Sequence, residues 1–176
     1  MILSKIFIRN SMRSLTKAAA SRQHCYRALN DVQYVLLLCE AKDWQTISPC
    51  INHLKAQGKT VHVCVYIRKN DETPIWDYAY LLVEAESDVD LWGFPKRNIR
   101  NQLNSLMVDM LIDFTGSEQT VMRYLMLQHP STFKVGAKYP ADENMYDLSI
   151  VMKNDARDIP FLFDQILNYL HAIRSR

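Results

Sequence analysis

The chain has 176 residues, 48% of them hydrophobic, with only 4 Gly and 6 Pro; that is enough apolar content for the core of one domain and too little Gly and Pro for a fibrous or low-complexity chain. No apolar run approaches the roughly 20 residues of a membrane-spanning helix, so a soluble globular protein is expected. The formal net charge of +2 hides an asymmetry, because residues 1–30 hold six basic and no acidic residues while the remainder carries 15 basic against 19 acidic groups.

The opening stretch "MILSKIFIRNSMRSLTKAAASRQHCYRAL" predicts a helix. Lys5, Arg9, Arg13 and Lys17 recur every four residues, which lines them up as one ridge on a helix surface. Leu3, Phe7, Leu15 and Ala18 are the expected apolar face. The expected organisation is therefore a basic amphipathic helix over 1–30 followed by a single α/β domain over 31–176. A ridge without interspersed acids offers a contact to an anionic partner, a membrane surface or RNA. An acid-free start rich in Arg and Ser also fits a mitochondrial transit peptide.

From residue 34 the pattern alternates between strands and helices. "YVLLLCE" is the continuous apolar run of a strand covered on both faces. "DWQTISPCINHLKAQG" reads as a helix that Asp43 can cap and Gly58 ends, although a start at Ser48 with Pro49 in the first turn avoids a mid-helix proline. "TVHVCVYIR" is a second buried strand. In "TPIWDYAYLLVE" a third strand is expected, with Trp76, Tyr78 and Tyr80 alternating on one face. An acidic loop, an aromatic turn "LWGFPKR" and a short helix "NIRNQLNSL" follow. Next come strand "VDMLIDFT", helix "SEQTVMRYLMLQH", strands "TFKVGAK" and "YDLSIVMK", and a last helix capped by Asp158. The order predicts a three-layer α/β sandwich with a mainly parallel sheet, Rossmann-like or flavodoxin-like.

Ligands of open parallel sheets bind beyond the carboxyl ends of the strands. Here those ends include the turn "MLIDFTGSEQT", whose candidate ligand residues are Asp113, Thr115, Gly116 and Ser117. Helix N–H groups after Gly116 would face an anion there, and the hydroxyls would add donors. The same residues also serve ordinary helix capping, with Ser117 or Thr115 ahead of Glu118 and Gln119. Neither a Gly-rich dinucleotide pattern nor a P-loop pattern is present. Glu40 and Asp113 would form a carboxylate pair if their strands are adjacent. No nucleophile elbow or H-E-x-x-H motif occurs, so no catalytic residue is assigned. Cys39 and Cys64 lie in apolar runs and read as reduced core residues, in keeping with a reducing cytoplasm. His62 reads as a sheet residue, and the aromatics Trp76, Tyr78, Tyr80, Trp92 and Phe94 as packing under a long loop. No metal and no cofactor is expected.

The order "DMLIDFT", helix, "TFKVGAK", "YDLSIVM", "FDQILNYLHAI" resembles a family of small bacterial proteins classed as a domain of unknown function. Those proteins share a basic N-terminal helix and a D-L-L-I-D … F-K-V-G order. The resemblance extends over most of residues 1–176, with its distinctive motifs in the second half. It implies a bacterial, cytoplasmic protein, which weighs against the transit peptide, and it supplies no activity; the basic helix would make the protein peripheral at the inner face of the membrane. The strand ending "IDFTG", its helix and the short Val-Gly strand are also distantly similar to the N-terminal Rossmann-like half of two-domain glycosyltransferases. That similarity concerns the fold; the domain carrying sugar-nucleotide recognition in those enzymes has no counterpart in these residues. The function expected is a non-catalytic binding or interaction module contacting an anionic or protein partner. The alternative is a small nucleotide- or sugar-phosphate-binding enzyme centred on the turn after Asp113.

Overall fold

Residues 2–20, 25–72, 79–139, 145–152 and 157–173 are described in the computed structural model of the chain, apart from the side chains of 2–6, 9, 19 and 20. Six strands form one sheet: β1 (Tyr34–Glu40), β2 (Thr60–Ile67), β3 (Leu81–Glu84), β4 (Met110–Asp113), β5 (Lys134–Lys138) and β6 (Leu148–Val151). Their order across the sheet is β3-β2-β1-β4-β5-β6, and every pairing is parallel. The central register sets Leu38 opposite Asp113, and Asp113 opposite Gly136.

Side chains alternate along these strands, and both faces are apolar, as a sheet covered on two sides requires. Val35, Leu37, Cys39, Val63, Val65, Met110 and Ile112 enter one core. Leu36, Leu38, Cys64 and Leu111 enter the other. The first core is closed by α2 (Trp44–Ala56) through Ile47, Cys50, Ile51 and Leu54, and by α5 (Ile159–Ala172) through Leu162, Phe163, Ile166 and Leu170. The second is closed by α1 (Ile2–Ala20), α3 (Arg97–Asn104) and α4 (Thr120–Gln128). The result is the expected three-layer sandwich.

Several local expectations are corrected. Helix α2 begins at Trp44 after a 3-10 turn, Ala41–Asp43, and so carries Pro49 inside it. Burying Ile47, Cys50, Ile51 and Leu54 on one face outweighs the single helical hydrogen bond that proline cannot make. Gly58 ends the unit at φ 77°, a conformation that glycine adopts without steric cost. Strand β3 occupies the last four residues of the expected stretch, Leu81–Glu84, just after the aromatic alternation; Tyr80 packs against the first core, while Trp76 and Tyr78 lie outside the described residues. In α5, Asp158 Oδ1 accepts from Phe161 N at 3.0 Å and Pro160 sits in the first turn, as expected.

Helix α1 also departs from expectation. Its buried stripe is Ile8, Met12 and Thr16, with the Thr16 hydroxyl donating to Met12 O at 2.9 Å. Phe7 and Ala18 are exposed and Leu15 is only half-buried, so the docked face is rotated away from the predicted Phe7, Leu15 and Ala18 line. Burying Ile8 and Met12 against α4 and the sheet sets that rotation, and it leaves Arg13 and Lys17 on the solvent side.

Candidate functional site

Strands β1 and β4 are parallel neighbours at the centre of the sheet, and their following helices lie on opposite faces. This is the point where strand order reverses and where such sheets open a crevice beyond their carboxyl ends. Glu40 and Asp113 stand there. They fall on the same face as Leu38 and Leu111 by strand alternation, and both are buried.

Asp113 is held by its own turn. Its Oδ1 accepts from Thr115 N at 2.8 Å and from the Thr115 hydroxyl at 2.6 Å. Its Oδ2 accepts from the Tyr146 hydroxyl at 2.8 Å. Burial pushes the carboxyl up, and the Thr115 hydroxyl, the Arg123 charge, Thr115 N–H and Tyr146 only partly pull it back. Tyr146 reaches this position across Gly136: a Cβ there would stand 2.5 Å from the Tyr146 ring. Gly136 thus admits the ring that holds Asp113.

Glu40 is the anionic centre of a wider network. Arg157 Nη1 donates to Oε1 at 2.7 Å, and Arg68 Nη2 and Gln119 Nε2 donate to Oε2 at 3.0 and 3.2 Å. Lys42 Nζ lies 3.6 Å from the same carboxylate. Burial raises this carboxyl, but Arg157, the Gln119 hydrogen bond, Lys42 and Arg68 together hold it below its ordinary value. Arg157 also binds Asp43 through Nη2 and donates from Nε to Phe114 O at 3.0 Å. Asp43, expected to cap α2, makes no side-chain cap there and serves Arg157 instead. Burial keeps its carboxyl raised despite that cation.

The stem of Arg157 lies over the turn, its Cδ 3.7 Å from where a Cβ of Gly116 would stand. One guanidinium therefore ties together the end of β1, the 3-10 turn after it and the turn after β4. The turn's groups are heavily engaged: Thr115 N–H and hydroxyl by Asp113, Gln119 N by Gly116 O at 2.9 Å, and Thr120 N by Glu118 O at 3.0 Å. Helix α4 starts at Thr120, three residues later than the capping pattern at Ser117 suggests. Ser117 and Glu118 instead form a turn.

Of the expected residues, Asp113, Thr115 and Gly116 meet at this edge with Glu40, and Ser117 follows in the same turn. Glu40 and Asp113 each keep a separate set of partners, so acid–base work by the pair would first have to dismantle both. Arg157, Tyr146, Arg68 and Gln119 belong to the site and were not anticipated. Lys5, Arg9, Arg13 and Lys17 sit on α1, where Arg13 and Lys17 are exposed; the side chains of Lys5 and Arg9 lie outside the described residues. Among the described residues no group of three or more His, Cys, Asp or Glu is placed to hold a metal ion, and no described helix is long and apolar enough to cross a membrane. His62 lies half-buried in β2, and Cys39 and Cys64 are free, buried thiols, as expected.

Strand order and the two-sided helical cover make this a Rossmann-like α/β protein whose switch point is filled by its own charged side chains. The chain belongs to a family described as "Family of unknown function (DUF6913)", which matches residues 5–173. No curated protein matches it, and no solved structure does.

Proposed function

We propose that the protein is a non-catalytic α/β binding module that contacts an anionic partner through the Lys5, Arg9, Arg13 and Lys17 ridge of α1. The observation that carries this reading is the docking of α1. Ile8, Met12 and Thr16 hold the helix on the body, and Arg13 and Lys17 point to solvent from a segment with no acidic residue. Arg157 supports the non-catalytic part, since its guanidinium lies over the turn where a phosphate would sit, held by two carboxylates, Glu40 and Asp43, and the Phe114 carbonyl. A bacterial, cytoplasmic protein that is peripheral at the inner membrane face goes with this reading. The competing reading, a nucleotide- or sugar-phosphate-binding enzyme on Asp113, Thr115, Gly116 and Ser117, is favoured by the position of that turn at the switch point. It requires Arg157 to leave Gly116.

Ile8 and Met12 belong to the core, so the test keeps the chain whole and changes only exposed charges. Full-length protein is bound to equimolar phosphatidylglycerol/phosphatidylcholine vesicles and to a single-stranded RNA homopolymer at increasing salt. Each cation near an anionic surface contributes about 1 kcal/mol, so Arg13→Glu/Lys17→Glu should weaken retention by about tenfold or more. Equal retention of variant and wild type would refute the reading. A nucleotide or sugar phosphate that raises Tm, with the shift lost in Gly116→Val, would favour the competing one.

A further inference from the structure

Against helix α1, at Phe7, the chain holds out an apolar tip. Val89 and Pro95 form an antiparallel bridge, Asp90 N donates to Phe94 O at 2.9 Å and Gly93 N to Asp90 O at 3.0 Å. Asp90 Oδ1 accepts from the N–H groups of Trp92 and Phe94, both at 2.9 Å. Gly93 takes a φ of 86°, which allows the reversal. Phe94 turns inward, edge-to-face with Tyr124 at 5.2 Å, whereas Leu91 is 95% and Trp92 55% exposed. The expected packing of Trp92 under a loop is thus corrected, because the Asp90-centred turn drives it outward.

The tip is continuous with α1. Phe7, 49% exposed, meets Trp92 edge-to-face at 5.3 Å, and Lys96 and Arg97 follow the tip on the exposed surface. Of the neighbouring acids, Glu86 is paired with a cation, and Glu84, Asp88 and Asp90 accept hydrogen bonds within the loop while keeping their charge. Asp88 accepts from Glu84 N at 3.0 Å, Glu86 pairs with Lys69 at 2.8 Å, and Asp90 is used by the turn itself.

We propose that Leu91, Trp92 and Phe7 are the lipid-facing part of a docking surface for an anionic bilayer, with α1, Lys96 and Arg97 supplying its cations. The proposal rests on the reading of α1 as an anion-contacting helix and names its partner. Charge complementarity selects the occupant. A second copy docked symmetrically would set the acid-free helix against itself. An RNA gains nothing from Leu91, the most exposed of the large apolar side chains described. The headgroup–acyl boundary accepts both Leu and Trp beside basic residues.

The test uses full-length protein on equimolar phosphatidylglycerol/phosphatidylcholine vesicles, read by co-sedimentation and by Trp fluorescence. Leu91→Ala/Trp92→Ala should bind about tenfold or more weakly, and Leu91→Ile/Trp92→Phe, which keeps the tip apolar, should bind like wild type. The blue shift on vesicle addition should shrink in Trp92→Phe. Binding by the alanine pair equal to wild type, with loss in Arg13→Glu/Lys17→Glu, would overturn the tip and leave the anionic contact standing. No loss in either variant would overturn both. Wild type that ignores vesicles but binds RNA homopolymer, or forms a dimer that the alanine pair abolishes, would overturn the lipid assignment.

Discussion

Replacing Gly136 by Ala should destabilise this protein, although glycine within a strand ordinarily costs about 0.5–1 kcal/mol relative to alanine. A Cβ at position 136 would stand 2.5 Å from Tyr146 Cε1, 2.6 Å from Cζ and 3.0 Å from Cδ1. The ring must move, and its hydroxyl, 2.8 Å from Asp113 Oδ2, must move with it. A hydrogen bond to a charged group contributes about 1.5–3 kcal/mol, and the forced displacement adds about 1–3 kcal/mol. Subtracting the backbone gain leaves a net loss of about 1.5–5.5 kcal/mol. Urea unfolding of Gly136→Ala, Tyr146→Phe, Tyr146→Ala and the Gly136→Ala/Tyr146→Ala double variant measures it. Tyr146→Phe keeps the ring and should lose only the hydrogen-bond part. In the Tyr146→Ala background the glycine substitution should be neutral or mildly stabilising. A neutral Gly136→Ala in the wild type, or the same cost in both backgrounds, would refute the reasoning.

Three further outcomes follow from the same packing. Arg157→Ala strips Glu40 and Asp43 of their shared cation and should cost about 2–4 kcal/mol in urea unfolding; Arg157→Lys should recover only part, since an ammonium cannot span Glu40, Asp43 and Phe114 O. Burial, helped by the Lys134 charge, lowers His129 from 6.5 to about 4. Its Nδ1 accepts from Ser131 N and its Nε2 faces Leu103 O, so the folded imidazole stays neutral where the unfolded one takes up a proton. Stability should therefore fall as pH drops from 6.5 towards 4, by up to about 3 kcal/mol at about 1.4 kcal/mol per pH unit, and His129→Gln should flatten that slope. Finally, burial raises the thiols of Cys39, Cys50 and Cys64, that of Cys50 to about 11. Ellman's reagent should label Cys25 promptly in the native protein and the other three only in denaturant; rapid labelling of all four would contradict the packing.

The sheet was legible where an element is one continuous apolar run, as in β1, β2 and β4, because burial on both faces leaves no polar period. The strand order was not, since nothing local decides which runs become neighbours. Boundaries failed where tertiary packing overrode a local rule: the buried face of α2 tolerates Pro49, and Asp43 abandons its cap for Arg157. At the site, Asp113 and Glu40 were recognisable as carboxylates at strand ends. Arg157 lies 117 residues from Glu40 in the chain, and a single arginine before a helix cap has no spacing that announces a partner. A buried carboxylate does demand a cation, which is the signal that was available without an address. On α1 the basic ridge was plain, but the buried stripe includes a threonine whose hydroxyl bonds its own helix, and this disguised the docked face.

Whether the solvent side of α1 meets an anionic surface is tested most directly by the salt dependence of vesicle binding. For the full-length protein on equimolar phosphatidylglycerol/phosphatidylcholine vesicles, affinity should fall steadily with rising salt, because screening weakens each cation's attraction. Arg13→Glu/Lys17→Glu should show both weaker binding and a shallower dependence. Binding that ignores salt, or a variant with the wild-type slope, would contradict that contact.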